Sequence, residues 1–236
     1  MASACGSPSA AMQLTVAAAS DLRPVLDPIA TRFQADTGVA VSITYGSSGQ
    51  LATQIAEGSP IDLFFSADRS QAEAAASAVG SESSSLTIYA LARLAVWVAG
   101  DNAPDVAGLA DRRFAHLAIA NPEHAPYGRA ARDALVAAGV YDAVADRLVL
   151  GENVADTLRL ATSGNADAAI VALSLANTAG GSFTEVPAEL FTPLEQTAVV
   201  IATNPVARQR ATDLLTRFTS APGRAALAGA GFGLPG

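Results

Sequence analysis

The 236-residue chain is predicted to be an α/β protein made of two α/β units. Two observations carry this. From residue 13 onward, short apolar runs alternate with amphipathic helical stretches, the order of strands and crossover helices in a doubly wound sheet. Half of the residues are hydrophobic and only 15% are charged, enough to bury a substantial core as one large domain or two smaller ones.

The elements follow in order. Residues 14–19 read as a buried strand. Residues 22–36 have helical spacing, with Leu22, Val25, Leu26, Ile29, Ala30 and Phe33 on one face. Pro24 suits the first turn with Asp21 as N-cap, because the N–H there has no partner anyway, and Gly38 stops the helix. Residues 39–45 read as a strand, 50–57 as a helix ended by Gly58, 61–66 as a strand and 71–78 as a helix. This βαβαβα order predicts a parallel sheet. The pattern then shifts. Residues 86–89 and 94–99 are strand-like with little between them, and 116–120 is a strand. A helix over 127–138 is stopped by Gly139, 147–150 is a short strand, a helix over 155–162 is closed by Gly164, and 168–173 is a strand. These form a second unit over roughly residues 90–195, after which a strand at 197–202 and helices at 206–219 and 223–228 complete the chain.

Net charge is −8, and all 14 basic residues are arginine. An acidic chain is a poor nucleic-acid binder and cannot attract an anion over long range, so any anion site must work by local, desolvated hydrogen bonding. With one cysteine, Cys5, no intrachain disulfide can form. No apolar run is long enough to cross a bilayer. Met1-Ala2-Ser3-Ala4-Cys5-Gly6-Ser7 looks like a bacterial lipoprotein processing site, so residues 1–11 are expected to be a disordered linker after a processed signal, with possible lipid anchoring at Cys5.

The most informative motif is a serine-rich turn between a strand and a helix, present twice. It occurs at Ala17-Ala18-Ala19-Ser20-Asp21-Leu22 and at Tyr45-Gly46-Ser47-Ser48-Gly49-Gln50-Leu51. Each copy alone reads as helix capping. Together they aim hydroxyls, backbone N–H groups and helix dipoles at an anion without using a cation. Gly49 would let the backbone approach something closely. Asn121-Pro122-Glu123-His124-Ala125-Pro126-Tyr127-Gly128 is a third such turn, with the Tyr127 hydroxyl as a further donor. In the fourth, Gly151-Glu152-Asn153-Val154, Asn153 caps a helix and leaves the Val154 N–H pointing outward.

Enzyme readings fare poorly. His116 is expected in the core and His124 in solvent; no metal-ligand spacing, nucleophile elbow or phosphate-binding lysine loop is present. Asp62 and Asp68 flank a strand end and read as turn-capping residues rather than a catalytic pair.

The two serine turns resemble the corresponding turns of periplasmic molybdate-binding proteins of ABC importers. So do Asp62-Leu63-Phe64-Phe65-Ser66-Ala67-Asp68, the proline turn, Gly151-Glu152-Asn153-Val154, and the stretch from Gly164-Asn165-Ala166-Asp167 through Ile170-Val171-Ala172-Leu173-Ser174, all in register. The resemblance implies an α/β, type II periplasmic-binding-protein fold, two lobes joined by crossover hinge strands. Lobe I would comprise residues 12–88 plus 200–236, and lobe II residues 89–199. It further implies a non-enzymatic, extracytoplasmic monomer without a cofactor, which captures molybdate or tungstate and delivers it to a membrane permease. Ser20, Asp21 and Ser48 from lobe I, with Tyr127 and Val154 from lobe II, would hold the molybdate or tungstate as an oxyanion. Some members carry a tyrosine where this chain has Ala172, and others one at the position of Tyr127. A carboxylate beside a dianion is repelled, so Asp21 is expected to turn away and cap the following helix. Other readings are a binder of another oxyanion such as sulfate, an enzyme on a two-lobed scaffold, or a structural lipoprotein without a ligand.

Overall fold

The computed structural model describes residues 13–80 and 86–236 of the chain. The expectations for residues 1–11, including Cys5, lie outside the described residues. Along the first half the strands are β1 (Gln13–Ala19), β2 (Ala40–Gly46), β3 (Leu63–Ser66), β4 (Leu86–Leu91) and β5 (Leu94–Val98), with helices α1 (Arg23–Thr37), α2 (Ser48–Ala56) and α3 (Arg69–Ala78). Strands β6 (Leu117–Ala120), β7 (Leu148–Gly151), β8 (Ala168–Ala172), β9 (Ser182–Glu185) and β10 (Glu195–Val200) follow. Helices α4 (Pro126–Ala137), α5 (Tyr141–Val144), α6 (Val154–Thr162), α7 (Leu173–Ala176), α8 (Pro205–Thr219) and α9 (Ala221–Ala230) accompany them.

The strands form two sheets of the same design. One has the order β2-β1-β3-β10-β4 and the other β7-β6-β8-β5-β9. In the first, β1 lies parallel to β2 and β3, while β10 runs antiparallel between β3 and β4. In the second, β6 lies parallel to β7 and β8, while β5 runs antiparallel between β8 and β9. The sequence expectation of a parallel sheet therefore needs correction. Each sheet is mixed, because each admits one strand that arrives directly from a crossing between the lobes.

The crossings also fall slightly away from the expected boundaries at 88/89 and 199/200. Both β4 and β10 lie wholly in the first sheet, where Ala198 and Val199 pair with Phe65 and Phe64 and bury completely. The chain thus crosses at Ala92-Arg93 and again over residues 186–194, and the two crossings are tied by the Ala92 N–H donating to the Leu194 carbonyl at 3.0 Å. Strand β9 and the short helix α7 had no counterpart in the sequence reading. The Ser182–Glu185 strand is too short and polar to show a period.

Lobe I buries an apolar layer on each face of its sheet. On one face Phe65, Tyr89 and Phe218 pack ring against ring, with centroids 4.7–5.6 Å apart, so that α8 is bound to β3 and β4. On the other face Leu51, Ile55 and Phe64 hold α2 and α3. Lobe II has one continuous core around Trp97, Leu117, Ile119, Leu135 and Ile170. Replacing Phe218 by Ala opens a cavity under the lobe I sheet. It is expected to lower the unfolding free energy by about 3–5 kcal/mol, measured by urea titration.

Candidate functional site

In both sheets the parallel strands end toward the same place, and the turns that follow them line one small space between the lobes. Ser20 and Asp21 follow β1, Ser47 and Ser48 follow β2, Ala125 to Tyr127 lie beyond β6, and Asn153 and Val154 follow β7. All five residues expected from sequence, Ser20, Asp21, Ser48, Tyr127 and Val154, are buried and reach this space.

Three helices of eight residues or more, α2, α4 and α6, begin at the cavity. Their first N–H groups have no intrahelical partner and carry the positive end of the dipole. Asn153 takes the N–H groups of Ala155 and Asp156 on its side chain, at 3.1 and 3.0 Å. Asn153 is therefore the cap the sequence suggested. The main-chain N–H groups of Ser48, Tyr127 and Val154 have no acceptor among the described residues. The Ser48 hydroxyl accepts the Ala67 N–H at 2.9 Å, and the Ser20 hydroxyl accepts the Ala155 N–H at 3.2 Å. Each hydroxyl thus keeps its own proton for a guest. Among the described residues no arginine or histidine lines the cavity.

Asp21 does not cap α1. It lies in a short 3₁₀ turn, Ser20–Leu22, and α1 starts at Arg23 with no side-chain cap. Two buried donors draw its carboxyl group inward instead. Asp21 Oδ2 accepts the Tyr127 hydroxyl at 2.9 Å and the Gln196 Nε2 at 2.5 Å. Gln196 also donates to the Tyr127 oxygen at 3.0 Å, and the Tyr89 hydroxyl donates to Gln196 Oε1 at 2.8 Å. The Tyr127 hydroxyl proton is therefore committed to Asp21, and Tyr127 turns its main-chain N–H to the cavity. Asp21 Oδ1 is buried without a partner. Burial outweighs the bonds from Gln196, Tyr127 and Asp21's own main-chain N–H and pushes the carboxyl up to about 6.

The lobes meet around the cavity in close backbone contact. The Gly49 N–H donates to the His124 carbonyl at 3.0 Å, and the Ser47 hydroxyl donates to the same oxygen at 2.7 Å. A Cβ at position 49 would sit 2.4 Å from that oxygen, so the close approach foreseen for Gly49 is to the opposite lobe. Gln50 donates to Glu152 at 2.9 Å, and Arg129 pairs with Asp68. His124 is half-buried in this seam rather than solvated, with Nδ1 2.9 Å from Ser47 Oγ. His116, expected in the core, is exposed because β6 begins one residue later. Asp62 accepts the Thr15 N–H at 2.8 Å, while Asp68 caps α3. The sequence reading missed Gln196 and Tyr89, each standing in an apolar strand with no local sign of its distant partner.

A family model described as bacterial extracellular solute-binding protein matches residues 14–233. The molybdate-binding protein of Azotobacter vinelandii is 36% identical over 204 residues, covering 84% of this chain and 80% of that protein. The molybdate-binding protein of Rhodobacter capsulatus is 34% identical over 198 residues, covering 83% and 79%. A solved structure of the Azotobacter vinelandii periplasmic molybdate-binding protein superposes with a TM-score of 0.84 at 31% identity, covering 94% of this chain and all of that one.

Gly49→Ala places a methyl group against the His124 carbonyl while suiting its own helix. The variant is expected to lose the Gly49–His124 contact and to hold the two lobes farther apart than the natural chain does. Small-angle scattering will check this as a larger radius of gyration.

Proposed function

We propose that this chain, which belongs to the family of bacterial extracellular solute-binding proteins, captures molybdate outside the cytoplasm and delivers it to an ABC permease. The observation that carries the reading is the interlobe cavity whose free groups, Asp21 apart, are neutral donors, with no cation among the described residues that line it. A fully deprotonated oxyanion offers acceptors only, and N–H and O–H groups can satisfy all of them. Neutral donors fixed by helix starts answer the dianion at close range, as a chain of net charge −8 requires. The relatives in Azotobacter and Rhodobacter, both molybdate-binding proteins, support the choice of ion.

In this reading Ser20 and Ser48 donate through their hydroxyls, and Ser48, Tyr127 and Val154 through their main-chain N–H groups. Tungstate, a tetrahedral dianion of the same form, binds at the same place. The chain acts as a monomeric receptor and not as an enzyme. It holds its guest unchanged between lobes that close about the two crossings. Anchoring through Cys5 would keep it at the outer face of the membrane.

Calorimetric titration with molybdate, tungstate, sulfate and phosphate tests the proposal. Tight binding of the first two with sulfate silent is expected; heat with sulfate alone would make this a sulfate receptor. Ser20→Ala is the clean site variant, because Asn153 still accepts the Ala155 N–H once the serine hydroxyl is gone. Losing a hydrogen bond to a charged guest lowers affinity by about 1.5–3 kcal/mol, roughly tenfold to a hundredfold. Unchanged affinity would remove Ser20 from the site.

A further inference from the structure

Asp21 sets this cavity apart from a site of pure donors. Asp21 is fully buried and is one of the residues that line the same space as the free N–H groups. Oδ2 is satisfied twice, by Tyr127 and Gln196, as a carbonyl-type oxygen would be. Oδ1 is satisfied by nothing among the described residues. An ionised Asp21 would put a third negative charge beside the two of the guest, in a space with no cation to offset them. A proton on Oδ1 removes that charge. It also turns the one buried side-chain oxygen or nitrogen left without a partner among the described residues into a donor for an oxyanion that has only acceptors.

We propose that Asp21 makes oxyanion capture proton-linked: the closed complex holds one proton on Asp21 Oδ1, taken from solvent, donated to an oxygen of the guest. The inference rests on the molybdate reading and assigns to Asp21 a part in setting when the ion is held.

The surroundings leave Asp21 as the group that titrates. From α4 it faces Tyr127, and from β4, through Gln196, it faces Tyr89; both phenols are buried and held well above their ordinary range by desolvation. From β10 it meets the neutral Gln196, and from α7 the Ser174 hydroxyl, which donates to the Asp21 carbonyl at 2.9 Å. The α2 and α6 starts bring only Ser47, Ser48, Asn153 and Val154 to the cavity. Charged residues on the surrounding elements are paired elsewhere: Arg23 with Asp27, Arg129 with Asp68, Arg159 with Asp156, Arg93 with Glu185, and Glu195 with Arg69. His124 faces Ser47 at the seam.

The sign follows from linkage. With the lobes together and no guest, burial already holds Asp21 at about 6, and a bound dianion raises it further. Below the value of the empty protein the proton is present before the ion arrives, and affinity is level with pH. Above it, each ion bound takes up one proton, and the dissociation constant rises about tenfold per pH unit until the value of the complex is passed.

The full chain is titrated with sodium molybdate between about pH 6 and 9, in buffers of different ionisation heat. Free molybdate is unprotonated over that range, so any proton taken up resides in the complex. The expected result is a heat that varies with the buffer in proportion to one proton, with the tenfold-per-unit loss of affinity. Asp21→Asn is expected to bind with neither dependence. Tight molybdate binding by the natural chain with a level pH profile and buffer-independent heat would overturn the proposal and leave the capture reading intact. An Asp21→Asn variant that keeps the slope would overturn it too, by placing the proton elsewhere. Absence of molybdate heat at every pH would overturn the capture reading and this one with it. Should the variant not fold, a buffer series on the natural chain that shows no proton uptake still overturns the proposal.

Discussion

The buried carboxyl group of Asp21 joins the parts of this molecule that otherwise have least reason to meet. It belongs to the turn after β1, its hydroxyl partner Tyr127 to the second lobe, and its amide partner Gln196 to the strand that returns from the second crossing. A desolvated carboxyl group is tolerated only where hydrogen bonds replace its water. Gln196 supplies its bond from within the first lobe, and Tyr127 supplies the other only when the lobes are together. Tyr89 extends the chain of bonds to the far strand of the first sheet. Separating the lobes would break the Tyr127 bond and return Asp21 to water, so the state of this one group is coupled to the position of the two lobes.

The convergence of donors has a topological cause. Both sheets run three parallel strands side by side and then admit one antiparallel strand, and in both the helices begin just beyond the parallel strand ends. One such sheet presents helix starts on one side of a guest, and the second presents them on the other. The antiparallel strands β5 and β10 are each continuous with a crossing, and a backbone bond between Ala92 and Leu194 ties the crossings together. The lobes are therefore joined by a narrow, hydrogen-bonded pair of segments, and their rims meet where Gly49 leaves room for the His124 carbonyl.

What the sequence disclosed, and what it withheld, divides along local and distant interactions. The serine turns, the Asn153 cap and the missing side chain at Gly49 are local facts, written in small and hydroxyl residues at strand ends, and they located the cavity wall. The two-lobed architecture was legible from alternating periodicity together with the family resemblance. The antiparallel entry of β10 was not, because strand direction leaves no mark on composition. Asp21 misled for the same reason: a helix cap needs only near neighbours, whereas the donors that captured its carboxyl group stand 106 and 175 residues away. Gln196 stayed hidden beside Thr197 at the start of an apolar strand, where a polar residue ordinarily marks an exposed edge. His116 and His124 were misjudged by assigning burial from the character of the surrounding run, when the strand start and the opposite lobe decided it.

A site of neutral donors discriminates differently from one built on arginine. A guanidinium attracts every anion, and its long side chain can follow a smaller or larger guest. Helix starts on two packed lobes have fixed positions, so the number of acceptors and the size of the guest must match both lobes at once. A guest that carries its own proton meets a wall of donors and leaves one of them unpaired, a loss of polar contact the cavity cannot offset. Asp21 adds the one group here that can exchange a proton. Placed on the guest, a proton would oppose the wall; placed on Asp21, it completes the wall.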